Sequence, residues 1–186
     1  MFSFDPETHT YTLDDRRLES VTEILKPLSP SDFYTEEGRI RGTAIHNAVS
    51  DFHAGKDPDL PAEYAAYLDG YIQFCHDYHY EPIEVEVPLY HRTMRYAGTP
   101  DSYGDSALGR ILPDVKTGAF IPSYALQTAG YEELIVNTTK LKKFTRLSVH
   151  ITTEGNYRVE LHKSFTDRSV FISALTLMRW RRTHNL

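Results

Sequence analysis

Three side chains near the middle of this chain, Asp101, Asp114 and Lys116, have the types and spacing to do chemistry together. Asp101 closes the phrase Gly98-Thr99-Pro100-Asp101, and a dozen or so residues later comes Asp114-Val115-Lys116. Ile111-Leu112 leads apolar into Asp114, while Gly104, Gly109 and Gly118 punctuate the stretch, which predicts two short strands joined by a turn. Alternation along a strand puts Asp114 and Lys116 on one side, roughly 7 Å apart, with Val115 turned into the core. If the preceding strand brings Asp101 alongside, two carboxylates and an ammonium converge on one spot. Such a group clusters poorly in water but well around a divalent cation that prefers hard oxygen ligands. The chemistry it suits is metal-assisted hydrolysis of a phosphodiester.

The rest of the chain must hold that spot together. At 186 residues, 40% hydrophobic and 25% charged, it is long enough for one good core, so a single domain over 1–186 is expected. One cysteine, Cys75, excludes a disulfide framework or a cysteine metal cage within the chain. No apolar run approaches the ~20 residues of a membrane span, and no signal-peptide core follows Met1, which points to a reducing, cytoplasmic setting. A formal charge of −6 counts mildly against a nucleic-acid partner, because backbone affinity comes from Lys and Arg. Two considerations soften that objection. Carboxylates that hold a cation are neutralised by it. The basic residues also cluster, with Lys140, Lys142, Lys143 and Arg146 in one run and Arg179, Arg181 and Arg182 in another, though each run alone also reads as a solvated segment.

Phe2 to Phe4 and His9 to Leu13 alternate like the strands of a hairpin, and Ser20 with Glu23 signs a capping box for a short helix ended by Pro27 and Pro30. A helix over Ser31 to His53 faces Ile45, Val49 and Phe52 to the core, carries Gly42 where another backbone could come close, and stops at Gly55. Pro61 to Tyr78 reads as a helix whose Tyr and Phe stripe is core first, with a base-stacking platform as the sharper alternative. Pro82 to Tyr90 reads as one strand with Glu84 and Glu86 on the face away from the core, Glu86 to solvent first with an outer place at the metal site as the alternative, and Arg92 to Asp101 as the next. A helix from Pro122 packs Leu126, Ala129, Gly130, Leu134 and Val136 on the sheet, with Gln127 and Tyr131 sharing another face. Leu147 to Thr152 and Tyr157 to Leu161 form a hairpin across Glu154-Gly155-Asn156, and a last helix runs from Thr166-Asp167 to Trp180. The expected architecture is α/β: a mixed sheet of about four or five strands flanked by helices, with an N-terminal β-hairpin.

Pro100-Asp101, a spacer, Asp114-Val115-Lys116, then Gln127 and Tyr131 as Q-x-x-x-Y resembles the PD-(D/E)XK nuclease superfamily. The branch it is similar to holds the RecB-type nucleases, phage exonucleases and a mitochondrial single-strand exonuclease, which also place a histidine on an early helix, matched here by His46. The likeness runs from about residue 9 to 135, including the opening phrase Ser20 to Leu25. It departs from the CRISPR-adaptation nucleases, whose four cluster-binding cysteines are absent. The resemblance implies a restriction-endonuclease-like fold and a Mg²⁺- or Mn²⁺-dependent deoxyribonuclease, with exonuclease activity at DNA ends favoured, in a bacterial or phage-infected cell. It implies His46, Asp101, Asp114 and the Val115 carbonyl as metal ligands. Lys116 would ready the water, Gln127 would hold water or lysine, and Tyr131 would contact a phosphate. Two rivals stand beside it: a catalytically idle module that grips DNA or a host protein, and a subunit working with a separate helicase or recombination partner. No nucleotide phosphate loop occurs in this chain, so any motor would be another polypeptide.

Overall fold

The computed structural model describes residues 1–29 and 35–186. Phe2–Asp5 (β1) and Thr10–Leu13 (β2) form the expected hairpin. Arg16–Ser20 (β3), where only Leu18 interrupts a polar run, adds antiparallel to β2 as a strand the sequence pattern did not suggest. Ser20 then closes its capping box with Glu23 and starts α1, Val21–Leu25, which a short 3₁₀ turn over Lys26–Leu28 ends. Pro30 and Ser31 lie outside the described residues; the second helix, α2, spans Glu36–His53 with Thr35 capping it through Gly38 N–H. Gly55, at φ +67°, stops it as expected. After a 3₁₀ turn at Ala62–Tyr64, Ala65–Tyr78 forms α3, and its Tyr67, Tyr71 and Phe74 are buried. Those rings are core, so the base-stacking alternative fails for them.

The stretch expected as two strands over 82–101 is a long hairpin broken at its middle. Glu81–Val85 (β4) pairs with Ser102–Ser106 (β7), while Leu89–Tyr90 (β5) pairs with Tyr96–Gly98 (β6). Gly109–Lys116 (β8) then turns back on β7, Ser123–Thr138 (α4) crosses over, and Thr145–Ile151 (β9) joins β8 in parallel. Tyr157–Leu161 (β10) closes the hairpin across Gly155, and Asp167–Thr183 (α5) ends the chain's regular structure.

Among the described residues the strands make two five-stranded mixed sheets, ordered β1-β2-β3-β6-β5 and β10-β9-β8-β7-β4. The expectation of one sheet with an appended hairpin is therefore corrected: the hairpin belongs to a second sheet, because β3 pairs in parallel with β6. The α/β class itself stands, with helices flanking both faces of the β8–β9 pair. On one face Ile45, Val49, Tyr67, Tyr71 and Phe74 from α2 and α3 pack on Ile111, Val115 and Val149. On the other, Tyr131, Leu134, Phe171 and Leu175 from α4 and α5 pack on Leu112.

Two glycines differ from expectation. Among the described residues Gly42 faces open space, where an added Cβ meets no atom within 4 Å, so it serves no close backbone approach there. Gly130 does allow a close approach, but of the Phe171 ring on α5, 2.7 Å from where a Cβ would sit, and not of the sheet. No helix among the described residues is long and apolar enough to cross a membrane.

Candidate metal centre

Besides the helical passage from β3 to β4, the chain steps directly from one sheet to the other at Glu86, between β4 and β5, and at Asp101, between β6 and β7. They are bound to each other, since Glu86 N–H donates to the Asp101 carbonyl at 3.0 Å. Glu86 sits at φ +49°, in the left-handed region that a non-glycine residue enters at a cost on the order of 1 kcal/mol. That twist is what turns its side chain out of the strand alternation and towards Asp101. Pro100 beside Asp101 ends β6 in the same place.

Asp101 is fixed from a third direction by β8. Pairing of β8 with β7 begins at Gly109 and ends at Ile111, so beyond that point the β8 edge has no strand on this side. Alternate N–H groups of a strand share an edge, so Pro113 and Val115 address the same gap. Proline has no donor to leave bare there, and the Val115 N–H donates to Asp101 Oδ2 at 2.7 Å. The other carboxylate oxygen, Oδ1, is left facing His46.

His46 follows fully buried Ile45 on α2, and that anchoring sets the helix rotation. Its Nδ1 lies 3.3 Å from Asp101 Oδ1 and 3.4 Å from Glu86 Oε1. His46, Glu86 and Asp101 each offer one ligand atom, all within 4.8 Å of one another, so this triad could hold a metal ion. Burial works against a charged imidazole here, but the two carboxylates outweigh it and push the His46 pKa up to about 10. Without a cation, protonated His46 fills the same electrostatic role between the acids. Asp101 is held below the usual carboxylate range: burial raises it, but His46, Lys116 and the Val115 N–H together outweigh that.

Asp114 and Lys116 emerge on one side of β8, as alternation predicts, with Val115 buried behind them. Lys116 Nζ is 2.7 Å from Asp114 Oδ2 and 4.6 Å from the centre of the Tyr124 ring. Asp114 is only 1% exposed, yet neither of its oxygens accepts an aligned hydrogen bond from the described residues, the ammonium lying close but out of line. Burial lifts its carboxyl to about 6; Lys116 opposes the rise and Asp101 adds to it. The lysine stays charged, because Asp114 and Asp101 more than offset its own burial. Asp114 Oδ1 is thus buried with no partner among the described residues, and Oδ2 is met by the Lys116 ammonium alone, which leaves the carboxylate room to serve a cation.

On α4, Gln127 Nε2 donates to the Tyr131 hydroxyl at 3.2 Å, so these two do share a face. Tyr131 is 5% exposed, its ring packed where a Cβ on Gly98 would come within 2.9 Å. Its hydroxyl pKa is far above the usual value because of burial and the negative field of Asp114 and Asp101. Of the expected ligands, His46 and Asp101 thus come within reach of one ion, with Glu86 and not Asp114 as the third member of that triad; Asp114 stands beside it with Lys116, and the sequence reading keeps Glu86 out of the inner ligands. The available signal was Pro88, two residues on, which makes an unbroken strand through 82–90 untenable.

Three of the seven residues in the basic runs are committed elsewhere. Arg146 is buried between Glu132 and Asp167, and Arg179 and Arg182 both clamp Glu19. Lys140, Lys142, Lys143 and Arg181 are exposed.

The chain matches no family model and no curated protein. Among solved structures it is similar to an alkaline exonuclease, LHK-Exo, from Laribacter hongkongensis, with a TM-score of 0.43 and 12% identity over 90% of this chain and 92% of that one. A likeness at that level carries no weight for the chemistry, which rests on the geometry of the centre itself.

Proposed function

We propose that this protein is a single-domain, divalent-metal-dependent deoxyribonuclease of the restriction-endonuclease-like, PD-(D/E)XK type, acting as an exonuclease at DNA ends. The observation that carries the reading is the seam between the sheets, where His46, Glu86 and Asp101 converge with the hydrogen-bond-starved Asp114 and the ammonium of Lys116 beside them. Oxygen donors from Asp101, Asp114, Glu86 and the Val115 carbonyl, with one nitrogen from His46, suit Mg²⁺ or Mn²⁺, the nitrogen tilting slightly towards Mn²⁺. Such an ion would supply the Lewis acidity that polarises a phosphodiester and acidifies a water.

The chain's own residues do the rest. Asp101 and Glu86, bonded to each other's backbone, hold the ligand geometry across the seam. Lys116, kept as an ammonium by Asp114 and Asp101, donates to the attacking water's oxygen and offsets charge growing on the reacting phosphate. With a cation held by the acids, the field that keeps Lys116 protonated would weaken, and a lysine that had released its proton to solvent would then be able to accept one from the water. Gln127 holds the water or the lysine in line, and Tyr131 lends its hydroxyl to a phosphate from behind. DNA is the substrate.

The test is digestion of end-labelled single- and double-stranded DNA beside a closed circle, with Mg²⁺, then Mn²⁺, then chelator. Ends should be consumed and the circle spared. Lys116→Ala and Asp114→Ala should each abolish cleavage with the fold retained by circular dichroism. Undiminished cleavage by Lys116→Ala removes the mechanism.

A further inference from the structure

His150 lies on the reactive face of the β8–β9 pair, and none of this uses it. It stands directly across from Lys116 in the parallel register, as Ser148 stands across from Asp114. Neighbours in register point to the same face, about 5 Å apart, so the imidazole flanks Lys116 on the side away from the His46–Glu86–Asp101 triad.

Its surroundings are those of a cup. The ring lies 5.7 Å from the Phe120 ring and 5.9 Å from the Tyr124 ring, and Tyr124 also carries the Lys116 ammonium on its face. A hydrogen bond to the Gly118 backbone engages Nδ1, and burial keeps the ring neutral, pushing its pKa below the ordinary imidazole value. With the proton on Nδ1, Nε2 carries a lone pair, and it is buried without any hydrogen-bond partner among the described residues. Phe120, at the mouth on the segment between β8 and α4, is 47% exposed, so the cup is closed there by a ring that solvent already reaches.

We infer that His150 is a further substrate-contacting residue, whose Nε2 accepts a hydrogen bond from an N–H or O–H of the nucleoside next to the reacting phosphate. The inference rests on the nuclease reading above and extends it. A phosphate oxygen has no proton to give, so a neutral acceptor in this position selects a base amine, a base imide or a sugar hydroxyl. A planar ring entering the cup displaces Phe120 and recovers the lost contact by stacking, which every base can do.

Two measurements test it. In the first, the ¹⁵N resonance of His150 Nε2 is followed in wild-type protein as a five-nucleotide DNA of mixed sequence is added with Ca²⁺ in place of the catalytic ion. The resonance should move upfield as the lone pair accepts a hydrogen bond. In the second, His150→Phe keeps the ring and removes the acceptor; it should raise KM roughly tenfold, the worth of one hydrogen bond, and raise it by more than it lowers kcat. His150→Gln, which can restore an acceptor near the Nε2 position, should recover most of the loss. An unshifted resonance with the oligonucleotide bound, or a KM for His150→Phe equal to wild type, overturns this inference and leaves the nuclease reading standing. A wild-type protein that neither binds nor cleaves the oligonucleotide removes both. Should His150→Phe fail to fold, the resonance measured on wild-type protein still decides.

Discussion

Asp114→Asn should make this protein more stable while destroying its activity. Burial, opposed by Lys116 and reinforced by Asp101, lifts the Asp114 carboxyl from 3.8 to about 6. At about 1.4 kcal/mol per pH unit, ionised Asp114 therefore costs the native state about 3 kcal/mol at pH 7. The native protein binds this proton more tightly than the unfolded chain does. Stability is thus fullest below 3.8, falls as pH rises through 6, and is flat above. Asparagine removes the charge, and the lost attraction to Lys116, 2.7 Å away, is already inside that figure because Lys116 is one of the groups that set the shift. An amide NH₂ without a buried acceptor takes some of that back, so the net gain should be about 1–2 kcal/mol near neutral pH, and only a small fraction of that near pH 4, where native Asp114 is protonated and the unfolded carboxyl is about half so. Urea unfolding of both proteins with chelator present, at about pH 7 and pH 4, measures the difference. An asparagine variant no more stable than wild type at pH 7, or equally stabilised at both pH values, would refute the claim that this carboxylate is held in an unfavourable site for the sake of a cation.

Cation binding should release a proton, because His46 holds one at neutral pH and must give it up to become a nitrogen ligand. Affinity for Mn²⁺ should therefore rise between about pH 6 and pH 8, and calorimetry in buffers of different ionisation enthalpy would read the released proton; a pH-independent affinity contradicts it. Gly42→Ala should stabilise by about 1 kcal/mol, since the new methyl enters open space on a helix. Gly104→Ala should cost about 3 kcal/mol or more, because its Cβ would lie 2.1 Å from the Glu81 carbonyl oxygen across the β4–β7 pair. Thermal melts of the two variants must move in opposite directions. Arg146→Met leaves Asp167 and Glu132 without their shared buried partner and should cost about 3–5 kcal/mol in urea unfolding.

What the sequence determined by itself was local. Alternation placed Asp114 and Lys116 on one face of β8 with Val115 behind, the Ser20–Glu23 pair marked a helix start, and helical spacing buried Ile45 and Val49 beside His46. Those features follow from the periods of strand and helix and from capping chemistry, which depend on neighbours a few residues away. The pairing of strands far apart in the chain was not legible. Arg16–Ser20 gives no strand signal on its own; pairing with β2 makes it one, and its docking beside Tyr96 and Ala97 joins the hairpin to β5 and β6 as a second sheet. Glu86 was misplaced for the same reason. Its left-handed backbone is held by the Asp101 carbonyl from across a broken hairpin, so the third ligand of the candidate centre exists only once the two sheets have met.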